Sequence, residues 1–310
     1  MDELARAWLG GLTAAQQAQA RYRFADDARR DWHYTPRSRP GLPLGAMDAS
    51  SRARAWAMVD AALSEAGRTK VREVLALEAV LGDIEGRPAR RDPSNYALAV
   101  FGEPGTEAPW AWRFEGHHVS LTLTHVPGAG VAVTPSFFGA NPAIVPAPHA
   151  HAGAELLVVP RKLAFELLHS LDPSSRAQCV LAIDAPRDIL TGPGAERRLE
   201  RIEGLALAEL ALGQQELGWH LLSSFLVHLA DDHRAAAEAR IRDVGLGRVH
   251  FAWAGGDRLG DPHYFRLHGP ATVVEYDNVQ NAANHVHAVW HEPDDVFGDD
   301  RLRRHHLDAH

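Results

Sequence analysis

Two short segments hold most of the residues able to do chemistry: Glu115-Gly-His-His118 and His285-Val-His287. Side chains on a strand alternate between faces, so His285 and His287 are expected on one face, where their ring nitrogens can converge on one cation. A third ligand from a neighbouring strand would complete the set and leave a position open for water or substrate. His118 and His117 are the candidates, with Glu115 beside them, and Gly116 reads as a bulge that re-aims one of the pair. Histidine is abundant, 19 residues against 3 methionines and 1 cysteine. Chance neighbours are therefore expected, and an isolated histidine reads as an ordinary core or surface group. The lone thiol, Cys179, leaves nitrogen and oxygen ligands, which suit Zn or Fe.

A further polar cluster closes an apolar run at Glu275-Tyr-Asp-Asn278. Glu275 and Asp277 share a face and are candidates for ligand or general base, as is Glu115. Asp277-Asn278 also suits the start of a turn. Arg37 and Arg113 are candidates to orient an anionic substrate group, since guanidinium matches carboxylate or phosphate bidentately. Trp112 and Asn278 are candidates for the substrate pocket. Gly102-Glu-Pro-Gly105 lacks the Lys of a phosphate-binding loop, and neither a Gly-x-Gly-x-x-Gly, a Gly-x-Ser-x-Gly nor a His-Glu-x-x-His is present.

Several elements must position these residues. Helical periodicity covers 3–30, with Thr13 a plausible N-cap, then 49–66 and 68–86, the last with Val71, Val74, Leu75, Leu77 and Leu81 as a buried stripe. Prolines and glycines make 32–47 a loop. Tyr96–Phe101 reads as a strand, and 110–124 as one alternating, half-buried strand forming a hairpin 110–135 with Gly130–Pro135. Helices are expected at 160–171, 174–182 and as a long piece near 206–231. Strands follow at Val249–Trp253, Tyr264–Leu267, Thr272–Tyr276 and His285–Trp290. The order implies an α+β class: an antiparallel or mixed sheet, the hairpin 110–135 with the C-terminal strands 249–290, packed with N-terminal and central helices. No internal repeat or linker is evident, so one domain over 1–310 is expected.

At 45% hydrophobic and 23% charged residues, the 310-residue chain is globular rather than disordered. A net charge of -8 argues against nucleic-acid binding. No apolar run reaches the roughly 20 residues of a membrane span, and the N-terminus has no signal-peptide pattern. A cytoplasmic protein with a small-molecule substrate and no membrane partner is the expectation.

Longer motifs carry a likeness. Asp31-Trp-His-Tyr-Thr-Pro-Arg37, Gly41-Leu-Pro-Leu-Gly45 and Phe101-Gly-Glu-Pro-Gly105 are followed by Trp110-Ala-Trp-Arg-Phe-Glu-Gly-His-His-Val-Ser120. Thr134-Pro-Ser-Phe-Phe-Gly-Ala-Asn-Pro-Ala143, Phe251-Ala-Trp-Ala-Gly255, the run from Glu275 to Trp290 and Phe297-Gly-x-Asp300 complete the set. Across nearly the whole chain this resembles the DUF3500 family of uncharacterised proteins. The resemblance supplies no activity, but its pattern includes both the Gly-His-His and the His-x-His units and agrees with treating them as one site. Ala288 stands where the pattern has Ser or Thr, and His291 where it has Arg.

These residues are read as a metal-dependent enzyme, a hydrolase or an oxidoreductase, acting on a small polar or anionic substrate. The alternatives are a metal-free small-ligand-binding protein and a metal-free acid–base enzyme with His118 as base and Glu115 orienting it.

Overall fold

The computed structural model describes residues 1–87, 91–149 and 151–308. Helix starts follow from local capping. Thr13 and Gln16 satisfy each other's backbone N–H groups in a reciprocal box, Asp48 accepts from Ser51 N at 2.7 Å, and Ser64 accepts from Gly67 N at 3.1 Å. Gly86, at φ 63°, closes the longest of these helices in the left-handed conformation that a Cβ disfavours.

Among the described residues the chain forms ten α-helices and one mixed sheet of thirteen strands, an α+β protein. Contacts divide it into two compact units, 1–137 with 294–310, and 138–293. The first contains α1 (Asp2–Gly10), α2 (Ala14–Ala20), β1 (Arg21–Tyr22), β2 (Leu42–Pro43), α3 (Ala49–Ala61), α4 (Glu65–Glu85), β3 (Ala97–Phe101), β4 (Trp110–Gly116), β5 (Val119–Val126) and β6 (Gly130–Ala132). Strand β7 (Ser136–Ala140) runs across the boundary. The second unit contains α5 (Val158–Ser170), α6 (Pro173–Cys179), β8 (Val180–Ala182), β9 (Leu205–Ala206), α7 (Leu212–Ser224), α8 (Asp231–Val244), β10 (His250–Gly255), β11 (His263–Gly269), β12 (Thr272–Asn278), the short α9 (Gln280–Ala283) and β13 (Val286–His291). The chain ends with α10 (Asp299–Asp308), in the first unit.

Element by element, the second unit repeats the first. In one, β3 takes β1 parallel and β2 antiparallel along one edge and β4 along the other, with β5 beyond. In the other, β10 takes β8, β9 and β11 in the same senses, with β12 beyond. The registers coincide: Leu42 faces Leu98 as Leu205 faces Phe251, and Arg113 faces Thr122 as Arg266 faces Glu275. Leu44 N bonds Tyr96 O at 2.8 Å, and Leu207 N bonds Val249 O at the same distance. The repeat missing from the sequence reading is thus present in the hydrogen-bonding pattern.

Three local expectations are corrected. Residues 110–124 are two antiparallel strands, because the chain turns at His117-His118 between Gly116 and Val119. Both faces of β4 are buried, and on its polar-looking face the Arg113 and Glu115 side chains are ion-paired. The expected long helix near 206–231 is instead β9 followed by α7, and α8 then occupies 231–244. The terminal Arg-Arg-His-His run belongs to α10, and Ala309 and His310 lie outside the described residues.

Packing within each unit rests on aromatic layers. In the second, Trp253, Phe265 and Tyr276 lie nearly parallel across β10, β11 and β12, with centroids 5.9 and 4.8 Å apart. Each buried ring of this kind contributes about 2–3 kcal/mol. In the first, Phe101 packs with Ala99, Ala111, Tyr22 and Phe24. No helix among the described residues is long and apolar enough to cross a membrane.

Candidate metal centre

Tyr96 and Gly116 set the turn that carries His118. A Cβ on Gly116 would lie 2.1 Å from the Tyr96 ring, so only glycine lets the ring pack there. The Tyr96 hydroxyl then donates to the His117 carbonyl, and His118 N donates to Tyr34 O at 3.0 Å. His118 itself has φ 63°, a conformation that strains a residue with a Cβ. The equivalent turn of the second unit, Pro270-Ala271, has no positive φ. The fold therefore does not require a positive φ at this turn.

His285 and His287 lie at the start of β13, their ring centroids 4.6 Å apart. Asn278 Oδ1 accepts from His285 N at 3.1 Å and holds the strand entry. One ring nitrogen from each of His118, His285 and His287 lies within 4.8 Å of those of the other two. Two nitrogens on one tetrahedral Zn, bound at about 2.0–2.1 Å, are roughly 3.3 Å apart. His287 Nδ1 lies 2.7 Å from Asp188 Oδ1. A carboxylate there fixes the proton on Nδ1 and leaves Nε2 to ligate.

Asp277 faces His287 in the β12–β13 register. Its carboxyl is wholly buried, and among the described residues neither oxygen has a hydrogen bond of good geometry, the Val279 backbone being its nearest support. Burial, aided by the nearby Asp188 charge, pushes its pKa up to about 8. A buried carboxyl so poorly partnered is costly, and a cation close by would relieve that cost.

The other expected residues are placed differently. Glu275 is occupied: it accepts from Leu190 N at 2.7 Å, Thr191 N at 2.8 Å, the Thr191 hydroxyl and the Tyr264 hydroxyl at 2.6 Å. Glu115 is also occupied, by Arg39 at 3.1 Å, Arg113 Nε at 3.2 Å, His33 N at 2.7 Å and Ser120 Oγ at 3.0 Å. Arg113 is buried and donates to the Arg29 and Ala28 carbonyls. Arg37 is exposed and paired with Asp31. Trp112 is buried, its Nε1 on His125 Nε2 at 3.3 Å. His117 stacks on His118, centroids 3.8 Å apart, and its Nδ1 meets Glu78 Oε1. Burial lowers its pKa, against the pull of Glu78. Sequence reasoning missed Asp188, Glu78 and Arg39. Asp188 sits in a loop without periodicity, and Glu78 reads as one more acid on a helix.

An α+β chain of two like halves, with three imidazoles converging, is a candidate metalloprotein by its donor set. It belongs to the DUF3500 family, described as a protein of unknown function, whose profile matches residues 1–299. No curated protein and no solved structure matches the chain.

Proposed function

We propose that His118, His285 and His287 hold a divalent cation and that the chain is a metal-dependent enzyme acting on a small polar substrate. The observation that supports this is the approach of three ring nitrogens to within 4.8 Å of one another. The Asp188 contact that orients His287 adds to it. Three neutral nitrogen ligands without thiolate suit Zn or Fe, and leave a coordination position for water. Zn held by these three histidines would supply a water of pKa lowered towards about 7, or a Lewis acid for a substrate oxygen, chemistry that favours hydrolysis. With Fe, oxidative chemistry replaces it. We assign Asp277, which faces His287 in the strand register, the role of exchanging a proton with groups at the ion. Glu115 and Glu275 act at a remove, each held by four groups of the protein, as anchors of the sheet that carries the ligands.

Elemental analysis of protein purified without an affinity tag tests the reading. One equivalent of metal, lost in His285→Ala and in His287→Ala, is expected. Metal-free native protein that takes up neither Zn nor Fe on titration would end it.

A further inference from the structure

The first unit encloses a cavity of about 400 Å³, within the range of small-ligand sites. Its lining carries charges of both signs: Arg37 and Arg39 from the loop after Pro36, Glu78 from α4, and Asp92.

The cationic part of the lining holds a charge surplus. Arg39 and Arg113, with side chains 5% and 1% exposed, share the single carboxylate of Glu115, itself 2% exposed. Two buried cations on one anion leave a net positive charge that water screens poorly. Arg39 is the member of this trio that reaches the cavity. Its Nη1 donates to Glu115 and to His33 O, and its Nη2 to Thr35 O. Among the described residues its Nε–H has no hydrogen-bond partner. Arg37 adds a second guanidinium, steadied by Asp31.

Asp92, also in the lining, accepts from Ser94 N and Ser94 Oγ, which holds its carboxyl below the usual range. A purely anionic ligand would meet Asp92 and Glu78, and a purely cationic one would meet the two arginines. A molecule with one charge of each sign satisfies both sets. Pro43 and Ala97 add apolar lining suited to a short carbon chain. The geometry points to a small zwitterionic amino carboxylate as the ligand of this cavity, its carboxylate on Arg39 and Arg37 and its ammonium on Asp92 and Glu78.

His117 lines the same cavity, and its ring stacks on that of His118. The ligand would thus lie one imidazole away from the proposed ion and serve as its substrate; this last step rests on the metal reading, whereas the binding itself does not.

Calorimetric titration tests the two separately, using chelator-treated native protein and His287→Ala. The probes are alanine and 4-aminobutyrate as zwitterions, propionate as the anion and propylamine as the cation. At least one zwitterion is expected to bind tenfold or more tightly than either singly charged probe, in both proteins. Arg37→Gln and Asp92→Asn, both at exposed positions, are each expected to weaken that zwitterion by about tenfold, the size of one lost charged hydrogen bond. Asn95→Trp, which fills the cavity mouth from another exposed position, is expected to abolish binding. Equal binding of propionate or propylamine, or no binding by any probe, overturns the proposal. So does zwitterion binding that survives Asn95→Trp. Zwitterion binding by a protein that takes up no metal upholds this inference and removes the metal reading alone.

Discussion

Asp188→Asn is the most informative single change at the proposed centre. The carboxylate lies 2.7 Å from His287 Nδ1 and is 35% exposed. Water therefore screens much of the direct attraction. What survives is the choice of tautomer and the ring's orientation, together with some gain in ligand basicity. Loss of such an outer partner typically weakens metal binding 10–100-fold, about 1.4–2.7 kcal/mol. Two features place this case near the lower end. The Asn carbonyl can still accept the Nδ1 proton, and removing the Asp188 charge relieves Asp277 of a like-charged neighbour. Zn affinity should therefore fall about tenfold in Asp188→Asn and further in Asp188→Ala, where nothing accepts the proton. Competition against a chromophoric chelator at fixed pH measures both, with one metal site per chain retained. Affinity within twofold of native in both variants would refute the orienting role. Complete loss of the site in Asp188→Asn would show Asp188 to be a ligand rather than a support.

Four further outcomes are expected. His118→Gly should lose metal yet gain about 1 kcal/mol in urea denaturation, since glycine tolerates φ 63°; His118→Ala should lose metal without that gain. Glu115→Gln should cost about 3–5 kcal/mol, because it leaves Arg39 and Arg113 buried with no countercharge; a cost below 1 kcal/mol would contradict the buried-cluster account. Burial, with Arg266 adding to it, pushes the His268 pKa down to about 4 from an ordinary 6.5. The folded state therefore binds fewer protons than the unfolded chain between those values. Stability should be full above pH 6.5 and fall towards pH 4, by about 3 kcal/mol at most, and His268→Phe should flatten this slope in pH-dependent melts. Gly116→Ala should destabilise more than Gly269→Ala, because the added methyl meets an aromatic ring at 2.1 Å in the first case and Val249 Cγ2 at 2.9 Å in the second; equal melting temperatures would count against this packing argument.

Much of the arrangement was legible wherever a rule acts over few residues. Period-two alternation paired His285 with His287, Thr13 announced a cap, and runs of helices followed by strands gave the α+β class. The turn at His117-His118 was hidden because glycine and histidine there also suit a bulge within a continuing strand. Asp188 and His287 meet across almost a hundred residues, and no local pattern encodes such a contact. The repeat was obscured by substitution: Leu42 stands as far from Leu205 as Trp56 does from Trp219, and Arg113 as far from Arg266 as Gly116 from Gly269, yet few identities survive between. Backbone hydrogen bonds outlast side-chain identity, so the likeness shows in registers.

A scaffold written twice in one chain implies the doubling of an ancestral gene about half as long. After such an event each copy is free to drift where the other still meets the need. The place of Glu115 is taken by His268 in the second unit's pairing of strands, and that of His118 by Ala271. Searches for remote kin should accordingly use each half as its own query, because an ancestor that predates the doubling would align with either half and never with the whole.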